Sequence, residues 1–73
     1  MPHYHANILW SDRSACWIAD VPDLRYCSAH GTSIADAARE IEIAISLWLE
    51  TALDNGNLVP EPQYRPAMVQ AAA

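Results

Sequence analysis

Two cysteines, three histidines and nine acidic residues carry most of the reactive chemistry in this 73-residue sequence. Cys16 and Cys27 could serve as nucleophiles beside a base, but their apolar, strand-like surroundings are typical of inert thiols. His3 and His5 share one strand face and, with His30, would form an acceptable set of metal ligands. No local signature pairs these groups. We therefore predict no catalytic, cofactor-binding or metal-binding residue.

The nine acidic residues raise the question of a nuclease site, because metal-dependent nucleases depend on clustered carboxylates. Asp12, Asp20 and Asp23 fall at turns or strand ends, and an extended chain at about 3.3 Å per residue keeps them apart. The only glycines, Gly31 and Gly56, form no loop that could cradle a phosphate. The sequence predicts that the protein is not an enzyme, with a ribonuclease-H-like hydrolase as the minor alternative.

The charge balance restricts the class of partner. The chain has four arginines and no lysine, and its formal net charge is −5. Because nucleic-acid binding depends on Lys and Arg side chains that neutralise phosphates, we expect no direct nucleic-acid binding. Complementary charge favours a basic protein partner instead.

The location follows from what the sequence lacks. No apolar run approaches the roughly 18 residues of a membrane span, and the N-terminal residues do not resemble a signal peptide. We expect a cytoplasmic protein with no membrane contact. Cys16 and Cys27 are then predicted to be reduced, although they could bridge consecutive strands.

The elements that must position these residues form one small α+β domain over residues 1–73, with a core over 4–62. Strands are predicted over residues 4–10, 15–20 and 25–29, as an antiparallel meander. Ser33, with Asp36 three residues later, is typical of a helix N-terminus, and Gly56 of a helix end. Residues 63–73 are expected to form a short fourth strand, over 64–70, or a frayed tail.

The predicted helix has one apolar stripe that should pack on one face of the sheet. The stripe consists of Ile34, Ala37, Ala38, Ile41, Ala44, Ile45, Trp48, Leu49 and Ala52. Burying its large side chains is worth about 1.5–3 kcal/mol each, against a backbone ordering cost of about 1–2 kcal/mol per residue. The helix therefore depends on the sheet for its stability.

Several apolar residues have no place in that core. Ile43 and Leu47 lie opposite the stripe, and the uncovered face of the sheet should expose Leu9 and either Trp17 or Ile18. The candidate interface residues are Leu9, Trp17, Ile43 and Leu47. Two other interpretations are that these are ordinary scattered apolar residues, or that the C-terminal segment folds back over the sheet. A chain this small also buries a modest fraction of its surface, so we predict a homodimer or higher homo-oligomer.

The order of several motifs resembles the N-terminal domain of HicB antitoxins. The motifs are Val21-Pro22-Asp23-Leu24, Cys27, Gly31-Thr32-Ser33-Ile34-Ala35-Asp36-Ala37, the helix end Leu47-Trp48-Leu49-Glu50, Gly56, and Val59-Pro60-Glu61-Pro62. The sequence departs from the family pattern at two places. Asp12-Arg13-Ser14 replaces the family's Asp-Gly in the first hairpin, and Arg25-Tyr26 replaces its Pro-Gly before the cysteine.

The resemblance implies a truncated ribonuclease-H-like fold and an antitoxin function. HicB proteins bind and mask HicA, a small basic toxin that cleaves mRNA. The expected partner is therefore a small basic toxin, neutralised by occlusion. The alternative is a solitary, self-associating regulatory module that binds another protein or a small ligand.

Overall fold

The computed structural model describes residues 3–65, which form three strands and one helix. In chain order these are β1 (Asn7–Ser11), β2 (Cys16–Asp20), β3 (Ser28–Gly31) and α1 (Ile34–Asp54). The strands pair antiparallel in the order β1-β2-β3, and α1 packs on the sheet, which confirms the predicted α+β meander with one long helix. Residues 64 and 65 are not in a strand, and the rest of the expected fourth strand lies outside the described residues. The expected similarity of this fold to a truncated ribonuclease H fold stays a prediction.

The strand register decides which residues face the helix. Ile8 pairs with Ala19, and Ala19 pairs with Ala29, so these three lie on one face of the sheet. All three belong to the core or pack against it. Because side chains alternate along a strand, Leu9 and Ile18 point to the opposite face.

The connection from β2 to β3 consists of two successive turns rather than the early start of a strand. The backbone N–H of Leu24 donates to Val21 O, and that of Cys27 donates to Leu24 O. Tyr26 has φ 61°, in the left-handed region, so the predicted strand over residues 25–29 was wrong in its first half. β3 begins only at Ser28.

The start of α1 follows the predicted capping pattern with one difference. Asp36 N donates to Ser33 Oγ at 3.0 Å, while the Asp36 carboxylate accepts from Thr32 N at 3.0 Å instead of from the cap residue. A Cβ on Gly31 would lie 2.5 Å from Ala37 N, so the end of β3 packs directly against the first turn of α1. Gly56 follows the helix with φ 71°, as predicted for the residue after the cap.

The core between helix and sheet is built largely from small side chains. It contains Ala19, Val21, Leu24, Cys27, Ala37 and Ile41, with Leu49 and Ala52 also buried along α1. Its large side chains are Leu24, Ile41 and Leu49, each at most 3% exposed. Ile34, which was expected in the buried stripe, is exposed at the first position of the helix. The interior is small, which leaves much of the apolar surface outside it.

The segment after the helix returns to the N-terminal side of the domain. Tyr4 OH donates to Pro60 O, and the Asp23 carboxylate accepts from the backbone N–H groups of Gln63 and Tyr64 at 3.0 Å. The Tyr64 ring lies 4.8 Å from the ring of His5, centroid to centroid. These contacts place residues 60–64 beside the first strand and the β2–β3 connection. Within residues 3–65, no helix is both long enough and apolar enough to cross a membrane.

Candidate protein-binding surfaces

The first surface is the side of the sheet that faces away from α1, here called the open sheet face. Its residues by strand register are Asn7, Leu9, Ser11, Cys16, Ile18, Asp20, Ser28 and His30. Leu9, Ile18 and His30 form one row across the three strands. Leu9 is 49% exposed and Ile18 is half-buried, so no element of residues 3–65 covers this row completely.

The open sheet face also has a depression beside that row. Its volume is about 390 Å³, and the side chains of Cys16, Ile18 and His30 contribute to its lining. It lies over β2 and β3, whereas Leu9 stands on β1. Ile18 and His30 therefore belong both to the row and to the lining of the depression, whereas Leu9 does not line it.

The second surface, called the outer helix face, lies on α1 opposite the core. Ile43 and Leu47 are neighbours one turn apart and are 49% and 58% exposed. Helical spacing puts Glu40, Glu50 and Asp54 on the same side of α1. The outer helix face is thus an apolar pair with acidic residues at both ends.

A groove, called the Tyr26 groove, adjoins the outer helix face at Leu47. Its volume is about 500 Å³, between the β2–β3 connection and the C-terminal half of α1. It is lined mainly by Tyr26, Cys27, Leu47, Trp48, Thr51 and Asn55. Trp48 Nε1 donates to Arg25 O at 2.9 Å, which holds the turn that carries Tyr26 against the helix.

Tyr26 is in an unfavourable position for the isolated chain. Its side chain is 94% exposed, and its backbone adopts a left-handed conformation that costs a non-glycine residue about 1–2 kcal/mol. Glycine is the residue that best suits the left-handed third position of such a turn. Sequence reasoning treated this position only as a lost glycine. An aromatic residue that is strained and exposed is instead a candidate contact residue.

Cys16 and His30 both line the depression on the open sheet face, whereas Cys27 is buried in the core. Cys16 and Cys27 are not joined in a disulfide, and burial raises the pKa of the Cys27 thiol above its usual value. A raised pKa keeps this thiol protonated and weakly nucleophilic. His5 is hydrogen-bonded to Asn7 Oδ1 at 2.7 Å. Within residues 3–65, no three His, Cys, Asp or Glu side chains are grouped in a way that could hold a metal ion.

The structure separates the four predicted interface residues into three locations. Leu9 lies on the open sheet face, and Ile43 and Leu47 lie on the outer helix face. Trp17 pairs with Trp10 on the helix side and packs against the core, with its ring centroid 5.5 Å from that of Trp10. Of the two residues considered on β2, Ile18 is the one that shares the face of Leu9.

Comparison with known proteins identifies the family. The family described as HicB_like antitoxin of bacterial toxin-antitoxin system matches residues 4–72. No curated protein and no solved structure shows significant similarity to the chain. The family match includes the β-meander, the Tyr26 turn and the whole of α1. The chain therefore belongs to the HicB-like antitoxins of bacterial toxin–antitoxin systems.

Proposed function

We propose that this chain neutralises a small, basic HicA-type toxin by covering its RNA-cleaving site with the outer helix face. Family membership supports an antitoxin role with a toxin partner in general and favours a regulatory, non-enzymatic protein. The proposal of a basic toxin bound at the outer helix face rests on the concentration of acidic charge around exposed apolar residues on α1. This arrangement suits a partner with a basic surface around an apolar contact.

The charge on α1 accounts for most of the charge of the chain. The helix contains Asp36, Glu40, Glu42, Glu50 and Asp54 against the single cation Arg39. Five acids against one arginine give the helix a net charge of −4, out of −5 for the whole sequence. Arg39 is paired with Asp36, so it does not neutralise the acids farther along the helix.

The acids at the C-terminal end of α1 do not benefit the helix itself. The last turn has no basic residue, although a helix C-terminus carries a partial negative charge and is stabilised by cations. Glu50 and Asp54 add negative charge where the helix dipole is already negative. This end of the helix therefore attracts Lys and Arg side chains from a partner, and it lies next to Leu47 and the Tyr26 groove.

Occlusion needs a contact centre that excludes water as well as charge that guides the encounter. Ile43, Leu47 and Tyr26 provide apolar and aromatic area for that centre. Exposed acids at the rim mainly raise the association rate and lose this effect at high salt. Affinity should consequently depend most on the apolar residues, and the association rate on the acids.

The test begins with a search for a small basic protein encoded beside this chain, and that protein is then used as the toxin. Co-expression of the wild-type chain should rescue growth from that protein and give a complex that co-purifies. Leu47→Asp should abolish rescue, while Leu9→Asp, a matched change on the open sheet face, should preserve it. Circular dichroism of both variants checks that each is folded.

Three results would contradict the proposal. They are the absence of any small basic neighbour with a double-stranded-RNA-binding-like sequence, failure of the wild-type chain to bind it, and rescue by a folded Leu47→Asp variant. The first two results would favour the alternative, a self-associating regulatory module without a toxin.

A further inference from the structure

The outer edge of β3 carries backbone groups that no described residue pairs with. β3 pairs with β2 on one side only, and the ladder begins where Val21 N donates to Cys27 O at 3.1 Å. Because hydrogen-bonded residues alternate along an antiparallel ladder, Ser28 and His30 direct their N–H and C=O groups away from β2. Both residues are exposed, and nothing within residues 3–65 hydrogen-bonds to these outward groups. Such an edge is a template for another extended chain.

A trough, here called the β3 trough, runs along this edge beside the flank of α1. One end is the Tyr26 groove, and the other is a depression of about 410 Å³ lined by residues 28–32 and the first turns of α1. Ser28 lines both, so the two depressions adjoin. Towards the helix, β3 presents only Ala29 and Gly31. These small residues leave space beside the strand for a neighbouring segment.

The two ends of the β3 trough differ in chemistry. Asp36 and Glu40 line the end near the start of α1. Asp36 is paired with Arg39, whereas Glu40 has no ion-pair partner among residues 3–65. Leu47 and Trp48 line the other end. An extended segment in the β3 trough would therefore meet an unpaired acid at one end and apolar side chains at the other.

Charge decides which segment fits. A second copy of this chain would bring its own α1, with a net charge of −4, towards Glu40. A basic segment would instead neutralise that acid. Leu47 belongs both to the β3 trough and to the outer helix face, so a basic partner bound at the outer helix face already lies beside this edge.

We propose that the basic toxin bound at the outer helix face also adds an extended segment to the free edge of β3. The segment pairs with the backbone of Ser28 and His30, and it places a Lys or Arg side chain against Glu40 and an apolar side chain against Leu47. In this mode of recognition, main-chain hydrogen bonds provide affinity and the flanking pockets provide specificity. The inference rests on the proposed function, since the bound toxin supplies the segment.

The same geometry specifies a sequence pattern in the partner. Glu40 and Leu47 are about 10 Å apart along the helix axis, at about 1.5 Å per residue. An extended chain covers that distance in roughly three to four residues, and only every second side chain faces the helix. The basic and apolar residues of the segment should therefore be four positions apart.

Amide hydrogen exchange measured by NMR gives a signature specific to strand addition. In the free chain, the amides of Ser28 and His30 should exchange fast, while those of Ala29 and Gly31, bonded to β2, should exchange slowly. Saturating toxin should slow Ser28 and His30 by about tenfold or more and remove this alternation. A toxin that touches only α1 would leave the alternation in place.

A proline variant tests the same contact through affinity. His30→Pro removes one outward N–H and no bond to β2, and proline is tolerated on edge strands whose N–H faces solvent. It should weaken toxin binding by about tenfold or more in calorimetry. His30→Ala is the matched control, because it removes the imidazole and keeps the N–H, and it should bind like the wild-type chain. Circular dichroism checks that both variants are folded.

The outcomes separate this inference from the proposed function. Toxin that shifts the Ile43 and Leu47 signals but leaves the exchange of Ser28 and His30 unchanged would overturn strand addition and leave the proposed function standing. Slowed exchange with unchanged Ile43 and Leu47 signals would support strand addition and remove the outer helix face from the contact.

Three further results would overturn the inference. Equal losses of affinity in folded His30→Pro and His30→Ala variants would assign the effect to the imidazole. Ser28 and His30 amides that are slow in the dilute free chain would assign the edge to residues 66–73. Amides that become slow when the chain alone is concentrated would assign it to a second copy.

Discussion

Replacing Tyr26 by glycine should make the antitoxin more stable and a weaker binder. Tyr26 is 94% exposed, so its removal deletes almost no packing within the chain. Its φ of 61° costs a non-glycine residue about 1–2 kcal/mol, and glycine avoids that cost. Glycine also loses roughly 0.5–1 kcal/mol more conformational entropy on folding. The net gain in the free energy of unfolding is about 0.5–1 kcal/mol.

Thermal unfolding followed by circular dichroism measures the first half of this prediction. For a domain of this size, the gain corresponds to a rise in the melting temperature of about 2–8 °C. Ala15→Gly is a matched control, since Ala15 is also exposed and has φ 51° at the end of the first hairpin. Both variants should be stabilised by similar amounts.

Calorimetry with the toxin measures the second half. Loss of a tyrosine at the centre of an interface costs more than about 1 kcal/mol where that residue is a hot spot, so Tyr26→Gly should weaken toxin binding by about fivefold or more. Ala15→Gly should bind like the wild-type chain. A lower melting temperature for Tyr26→Gly would refute the strain argument, and unchanged binding would remove Tyr26 from the interface.

Three further predictions concern the positions around the helix start and the two thiols. Gly31→Ala should lower the free energy of unfolding by about 1–3 kcal/mol in urea titration, since the new Cβ would overlap the backbone of the first turn of α1. The backbone hydrogen bond from Thr32 holds the pKa of Asp36 below its ordinary value, so stability present above the unfolded pKa should be lost as the pH falls through the folded pKa. Asp36→Asn should flatten this acid-side dependence in pH-series melting curves, and an unchanged slope would assign it to other acids. Cys27 should be labelled by a thiol reagent more slowly than Cys16, because Cys27 is buried and burial raises its pKa. Equal labelling rates would contradict the placement of Cys27 in the core.

The helix and the meander could be predicted from the sequence because their signals are local. The 3/4 spacing along α1, the Ser33 cap and the glycine at position 56 each reflect a backbone requirement that a few residues satisfy. The start of β3 could not be predicted in the same way. Arg25 and Tyr26 look suitable for a strand, but the closed turn from Leu24 to Cys27 overrides that preference.

The candidate surfaces were only partly predictable, for a related reason. Period-two alternation places Trp17 and Ile18 on opposite faces but does not say which face the helix covers. That choice depends on the register with β1, where Trp17 pairs with Trp10 and Ile18 pairs with Leu9. The role of Tyr26 depends on a backbone angle that the sequence alone does not specify. On α1, where one long periodic stripe fixes the orientation, Ile43 and Leu47 are exposed as predicted, whereas Ile34 at the first helical position is exposed and not buried.

Toxin binding by the outer helix face is tested most directly by following the methyl groups of the chain by NMR while the toxin is added. If the toxin binds the outer helix face, the methyl signals of Ile43 and Leu47 shift or broaden at equimolar toxin, while those of Leu9 and Ile18 stay as they are in the free chain. Shifts of the Leu9 and Ile18 signals with unchanged Ile43 and Leu47 signals would contradict the proposed function, because the toxin would then bind the sheet and not the acidic helix.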